Sequence, residues 1–423
     1  MSEATGGPLF FKVVTVEGAR RSVLEALGSS AASRARGVEE LAIEECAGRV
    51  LAADLVAPED VPGFPRSTVD GYAVRAEDTY GAGESLPAYL VMAGELRMGE
   101  APEKPLAQGE CMAVATGGAL PEGADAVVML EHTETPGDGT VAVMRPVSPG
   151  ENLVRPGEDI REGQVVLPRG RGLRPPDLGV AAALGYTRLP VYVRPRVAII
   201  STGDELVPPG DKPGPGQVRD VNAYALAAAV RGEGGIPRLL GIVPDDRDAL
   251  HRVLQEGLES DCVIVSGGSS VGARDLVAGV ITELGEPGVL VHGVAVRPGK
   301  PVIIAVARGK PVYGLPGHPV SALVTFYLLV RPVIRYLAGA DPFPVEPTVR
   351  ARLGRNLGSR AGVEEYVRVS LTREGAQLVA HPVLGKSGLV STLARAWGLV
   401  RIPAEATGLA EGEEVEVVAI PPL

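Results

Sequence analysis

From residue 196 to 337 the chain alternates between two hydrophobic periods. Short β-type runs at 197–200, 238–243, 262–265, 301–306 and 311–315 are separated by helical stretches at 222–230, 248–258, 275–284 and 320–337. Strands that alternate with helices leave few architectures open, because each crossover returns the chain to a neighbouring parallel strand and lays a helix on the sheet. The expectation is a doubly wound α/β domain with a mainly parallel sheet. Pro332 lacks an N–H and is expected to bend the last helix.

Ligands of open parallel sheets bind outside the carboxyl ends of the strands. Four runs here end in polar or glycine-rich turns: Ser201-Thr202-Gly203-Asp204-Glu205, Pro244-Asp245-Asp246, the loop Ser266-Gly267-Gly268-Ser269-Ser270-Val271-Gly272 with Asp275 beyond it, and Leu315-Pro316-Gly317-His318-Pro319. These are expected to converge in one crevice. Glycines in the 266–272 loop let backbone approach an anion, and amides at the following helix start face it. The loop matches neither the Walker A pattern nor G-x-G-x-x-G, and an ordinary turn remains its plainer reading. Glu205, Asp245 and Asp275 bring acids to the same place. Carboxylates repel a phosphate unless a divalent cation lies between them, and Mg²⁺ suits a few carboxylates plus phosphate oxygens. Helix capping is the competing role for each, and Asn222 is expected to cap the helix that runs through Val230. Arg297 and Lys300 stand ready to neutralise an anion, or lie in a solvated turn.

The rest of the chain reads differently. A helix fits 17–27. Short β-type runs at 88–92, 111–115, 126–130 and 140–144, cut by Gly, Pro and Asp turns, predict a small β-rich domain. An apolar helical stretch covers 178–184, and 190–195 reads as a linker. Beyond 346 the helical period is lost: 367–371 alternates, Glu374-Gly375 signals a turn, and a C-terminal β-barrel or sandwich is expected. The segment 62–73, with Phe64, Arg66 and Asp70 among Pro and Gly, reads as a binding or surface loop.

Composition removes several function classes. The net charge is −11 with no block of Lys and Arg, so nucleic acid is not an expected partner. Three widely spaced cysteines without C-x-x-C predict neither a disulfide framework nor a thiolate zinc site, and the five histidines lack metal-ligand spacing. H-E-x-x-H is absent, so a zinc protease finds no support. The N-terminus has no signal-peptide core, and the apolar run at 320–330 is too short for a bilayer, so no membrane and a cytoplasmic location are expected.

Taken in order, Ser67-Thr68-Val69-Asp70-Gly71-Tyr72-Ala73, Thr116-Gly117 through Pro121-Glu122-Gly123-Ala124-Asp125, Gly157-Glu158-Asp159-Ile160, Ser201 to Leu206, Ser266 to Gly272 with Asp275, Pro298-Gly299-Lys300-Pro301 and Leu315 to Ala322 span nearly the whole chain. Together they resemble the MoeA-type molybdopterin molybdenumtransferases, a family that includes the E domain of gephyrin. The resemblance implies four parts: an elongated helix and strand region at 1–56 and 150–190, an inserted β-rich domain at 57–149, an α/β molybdopterin-binding domain at 191–341 and a C-terminal β-barrel at 346–423. It implies an elongated homodimer with the site in a cleft shared between subunits, and a molybdopterin adenylyltransferase as substrate donor. The implied reaction inserts molybdate into adenylylated molybdopterin, hydrolyses the pyrophosphate and releases AMP. It gives Asp70, Thr116, Asp159, Glu205, Asp245 and Asp275 catalytic positions, the last three also holding Mg²⁺. Ser266, Gly267, Gly268, Ser269, Ser270, Gly272, Arg297, Lys300, Pro316, Pro319, Ser321, Arg368 and Ser387 fall to binding pterin phosphate or molybdate. His318, Gly293, Arg297 and Val363 depart from the usual family residues, which leaves tungstate as an alternative anion. The rival readings are an adenylyltransferase, and a scaffold or pterin carrier.

Overall fold

The computed structural model describes residues 13–29, 37–267 and 271–420, with 271–275 given by backbone alone. Helix α1 (Val16–Ser29) carries apolar residues at Val16, Ala19, Val23 and Leu27, spaced three and four apart. That spacing makes one stripe, and all four are buried. The stripe packs into the core of the later α/β domain. Strand β1 (Val38–Ala42) follows.

The β-rich domain is a six-stranded sheet of β2 (Gly71–Val74), β3 (Ala88–Leu96), β4 (Glu110–Val114), β5 (Ala126–Met129), β6 (Thr133–Glu134) and β7 (Thr140–Val143). The order is β5-β2-β4-β3-β7-β6. Gly71 starts β2 so close to its neighbour that a Cβ would lie 1.9 Å from the Val128 carbonyl oxygen. Helix α2 (Pro175–Ala183) and strand β8 (Arg188–Tyr192) come next, and β8 runs antiparallel to β1. Residues 190–192 therefore belong to a strand where the sequence suggested a linker. Pro190 is tolerated there because it needs only to accept: its carbonyl takes the Ala52 N–H.

The α/β domain contains β9 (Arg196–Thr202), α3 (Asn222–Gly232), β10 (Ile236–Val243), α4 (Arg247–Gly257), β11 (Cys262–Gly267), α5 (Val271–Leu284), β12 (Pro287–His292), the short β13 (Val296–Arg297), β14 (Ile303–Ala307), β15 (Lys310–Leu315) and α6 (Pro319–Thr325). A π turn (Phe326–Val330) then leads to α7 (Arg331–Leu337). The sheet order is β10-β9-β11-β15-β14-β12. The first four strands are parallel, and β14 runs antiparallel to both of its neighbours, β15 and β12. Alternation along β9 sends Val197 and Ile199 to the core shared with α1 and α3, and Ala198 and Ile200 to the core shared with α4 and α5.

Pro332 is answered by the π turn. Its missing N–H leaves the Leu328 carbonyl without a partner four residues on. The Arg20 Nε donates to that oxygen at 2.7 Å, and the Tyr313 hydroxyl donates to the Leu329 oxygen at 3.1 Å. Residues 319–337 thus form one helical run. By length and composition it would cross a bilayer, but 72% of its apolar window is buried in the protein's own core.

In the C-terminal domain, β16 (Thr348–Leu353), β17 (Glu364–Glu374), β18 (Gln377–Pro382), β19 (Gly398–Ile402) and β20 (Glu414–Ala419) pair in the ring β17-β18-β16-β20-β19-β17. The ring closes, so this is a barrel. Strand β13 adds parallel to β17, with Arg297 beside Glu365, and ties the barrel to the α/β domain.

Candidate active site

Register decides where the predicted residues meet. Thr202 pairs with Val243 on one side and Gly267 on the other, and Ser266 pairs with Leu315. The carboxyl ends of β10, β9, β11 and β15 are therefore level. The turns carrying Asp245, Glu205, Ser266–Gly267 and Pro316–Pro319 emerge side by side, as the strand-end rule required. Gly268, Ser269 and Ser270 lie outside the described residues. Gly272 and Asp275 are placed only as backbone in the first turns of α5. The N–H groups at the start of this 14-residue helix follow directly on the loop.

On the α4 side of the sheet, the Thr202 hydroxyl donates to Asp245 Oδ1 at 2.6 Å, and the Asp245 N–H donates to Asp204 Oδ1 at 3.2 Å. Glu205 folds its carboxylate back over Gly203, where a Cβ would come within 2.6 Å of it. Gly203 thus makes room for the acid. Asp245 does not cap α4: Asp246 does, its Oδ1 accepting the Ala249 N–H at 2.8 Å. That frees Asp245 and Glu205, both exposed, for a ligand. Among the described residues no three His, Cys, Asp or Glu side chains cluster as a complete metal site. Mg²⁺ is in general held by one or two carboxylates, with substrate phosphates and water filling its shell.

On the opposite face lies a residue the sequence misassigned. Asn222 was expected to cap α3, but the cap is Asp220, whose Oδ1 accepts the Ala223 N–H at 3.1 Å. Asn222 is buried, and its Nδ2 donates to Ser266 Oγ and to the Gly317 carbonyl, both at 2.8 Å. It staples two of the four turns together. The available signal was Asp220-x-Asn222 before one helix, two capping residues where one suffices. Beside it, the Ser201 hydroxyl is buried without a hydrogen-bond partner among the described residues.

The binding residues assigned to the barrel and its neighbours form a rim. The Ser387 hydroxyl lies 2.9 Å from His318 Nδ1, and the Ser387 carbonyl accepts the Val320 N–H at 3.1 Å. Arg368 donates to Thr392 Oγ1 at 2.9 Å and to the Gly385 carbonyl at 3.0 Å. Burial lowers its pKa, yet guanidinium keeps its charge. Ser321 is buried at the start of α6. Gly299 presses onto α6, where a Cβ would lie 2.2 Å from Thr325 Cγ2. That contact puts the loop bearing exposed Lys300 beside Ser321. Arg297 reaches Glu365 at 3.6 Å.

The N-terminal positions form their own cluster. Asp70 Oδ1 accepts the Thr116 N–H at 2.7 Å and the Thr116 hydroxyl at 2.9 Å. These bonds hold the Asp70 carboxyl below its usual pKa. Asp159 is exposed in a turn whose backbone N–H donates to the Val61 carbonyl at 3.2 Å. Among the described residues of one chain, no hydrogen bond joins Asp70, Thr116 or Asp159 to the strand ends.

Comparison with known proteins adds identity to this geometry. The chain matches the MoeA N-terminal region (domain I and II) over residues 14–185, a probable molybdopterin binding domain over 198–336 and the MoeA C-terminal region (domain IV) over 350–420. It is 37% identical over 380 residues to molybdopterin molybdenumtransferase 2 of Mycobacterium tuberculosis, covering 89% of this chain and 93% of that protein. It is 34% identical over 388 residues to the molybdopterin molybdenumtransferase of Bacillus subtilis, covering 90% of each. The crystal structure of a molybdopterin biosynthesis MoeA protein from Pyrococcus horikoshii OT3 superposes with a TM-score of 0.83 at 32% identity, covering 97% of this chain and 100% of that one.

Proposed function

The chain belongs to the MoeA family of molybdopterin molybdenumtransferases, and from that premise we propose that it inserts molybdenum into adenylylated molybdopterin, the step that completes molybdenum cofactor biosynthesis. The pterin's two thiols bind molybdenum from molybdate while one oxide leaves as water with the two thiol protons, and a second water adds across the pyrophosphate bond to release AMP. One observation supports this reading above all: the carboxyl ends of four parallel strands are level, and the turns bearing Asp245, Glu205, Ser266–Gly267 and Pro316–Pro319 follow them side by side.

Each residue has a role in that reading. Amides at the end of β11 and the start of α5 bind phosphate. Asn222 holds Ser266 and Gly317 at fixed separation. Thr202 orients Asp245. Glu205 and Asp245, with Asp275 on α5, are the residues that would hold Mg²⁺, which supplies positive charge to the pyrophosphate oxygens. Lys300, Ser321, Arg368 and Ser387 line the oxyanion end, with Arg297 at its edge. Asp70, Thr116 and Asp159 serve the same chemistry from the partner protomer of a homodimer, which accounts for their separation within one chain. A molybdopterin adenylyltransferase supplies the substrate. A reducing cytoplasm suits the three cysteines, which are all free and buried.

The test is AMP release from adenylylated molybdopterin with molybdate, followed by chromatography. Glu205→Gln and Asp245→Asn are expected to lower turnover at least ~100-fold while sedimentation still gives a species of twice the chain mass. Full activity in both variants would refute the carboxylate role. Rapid AMP transfer from ATP onto molybdopterin would favour the adenylyltransferase reading, and a preference for tungstate in competition would change the anion.

A further inference from the structure

A cavity of about 280 Å³ lies between α1, the π turn and the barrel. It shares no lining residue with the strand-end crevice. Its volume falls near the lower end of small-molecule pockets, roughly 300–1,000 Å³. Leu328, Pro332, Phe343, Leu399 and Ile420 give it an apolar body.

Its charges do not cancel. Arg331 pairs with Glu346, and Arg401 pairs with Glu364, which also accepts the Tyr366 hydroxyl. Arg20 has no carboxylate within ion-pair reach among the described residues. Its hydrogen bond there is the one from Nε to the Leu328 carbonyl, the oxygen left open by Pro332. Its guanidinium stands 5.5 Å from the Phe343 ring centroid. Burial lowers its pKa and Arg331 adds to that, while Tyr366, Glu364 and Glu346 act in the opposite direction. A guanidinium does not deprotonate, so the cavity keeps a cation whose terminal N–H donors have no partner among the described residues. Arg20 is half-buried, and a charge that has lost part of its hydration without gaining a partner is favoured by an anion. The π turn fixes the geometry, because Nε is pinned to the backbone and the rest of the fork stays available.

We propose that this cavity is a binding site for a small aryl monoanion, a carboxylate or sulfonate that meets Arg20 while its ring packs against Phe343 and Leu399. The site is separate from the molybdenum chemistry and does not depend on it.

The probe is 8-anilinonaphthalene-1-sulfonate, titrated by fluorescence into the full chain. Saturable binding of one dye per chain is expected, displaced by naphthalene-1-acetate. Arg20→Met, which keeps the apolar stem, should weaken binding at least about tenfold. Because that change also strips the Leu328 carbonyl of its donor, Phe343→Ala provides the independent variant. Phe343 is 49% exposed, so its loss should leave the fold intact and weaken the dye severalfold. The uncharged analogue N-phenyl-1-naphthylamine should bind at least about tenfold more weakly than the sulfonate. Equal affinity of the charged and uncharged dyes would overturn the proposal. So would dye binding unchanged in both variants, or a failure of naphthalene-1-acetate to compete.

Discussion

Two side chains show how far single residues govern this site. Asn222 donates to Ser266 Oγ and to the Gly317 carbonyl, and Asp in its place removes both donors and adds a charge. Asn222→Asp is expected to lower AMP release about 10–100-fold, which corresponds to about 1.4–2.7 kcal/mol at the barrier. Stability should drop by about 1–3 kcal/mol for the unsatisfied buried groups. Leu226→Ala, one turn along the same helix and fully buried, controls for stability alone: it should cost about 2–5 kcal/mol and leave turnover per folded molecule intact. Equal losses of turnover in the two variants would reduce Asn222 to a structural role. Asp70 offers a titration instead. Two hydrogen bonds from Thr116 favour its ionised form, so its folded pKa lies below the ordinary Asp value of about 3.9. The sign follows: the Thr116 bonds favour the fold above the unfolded pKa, and that contribution is lost as pH falls through the lower folded value. Thr116→Val should return the Asp70 titration, read by carboxyl carbon NMR, toward the ordinary range. An Asp70 signal that titrates identically in both proteins would contradict the hydrogen-bond account.

At the scale of elements, the α/β period was the most legible part of the chain, and glycine explains why the ends of its strands hold their positions. Apolar runs at 197–200 and 262–265 became β9 and β11 with only their polar ends extended, because buried parallel strands carry near-continuous hydrophobic sequence. What the period could not give was the role of side chains at those ends. Asn222 and Asp220 have the same capping chemistry in sequence, and only the packing of α3 against the Ser266 turn separates them. The linker read at 190–195 failed at 190–192, while 193–195 do connect β8 to β9; the reason is related, since Pro argues against strand only where its N–H is needed. Gly267 and Gly279 test the difference between close approach and free space. Gly267 has φ +149°, and a Cβ there would lie 2.0 Å from the Thr202 carbonyl oxygen. Gly267→Ala should destabilise by at least about 2 kcal/mol by prising β9 from β11. Gly279 sits within α5 with nothing near its Cβ position, and Gly279→Ala should stabilise by about 0.5–1 kcal/mol. Urea denaturation reads both. Gly267→Ala at wild-type stability would remove the close-approach argument.

At the scale of the molecule, the rim of the crevice is made where the barrel meets the α/β domain. No local pattern in sequence announces that meeting. Residues 318 and 387 lie far apart in the chain, yet the Ser387 hydroxyl and carbonyl both contact the start of α6. The barrel is also anchored through β13 on β17. Two attachments of different kinds predict separable effects. Breaking the side-chain contact with His318→Ala should release the 384–390 loop while β13 keeps the barrel in place. Hydrogen exchange should then rise in 384–390 and stay unchanged in β17, and molybdate binding should weaken several-fold because the Ser387 side chain is no longer held against the start of α6. The Val320 N–H to Ser387 carbonyl bond bounds this effect, since it survives the substitution. His318→Asn shortens the side chain but keeps a hydrogen-bonding group, so it should restore part of the protection. If His318→Ala instead raised exchange throughout the barrel, the β13–β17 pairing would not be an independent anchor, and the rim would have to be treated as one cooperative unit with the domain behind it.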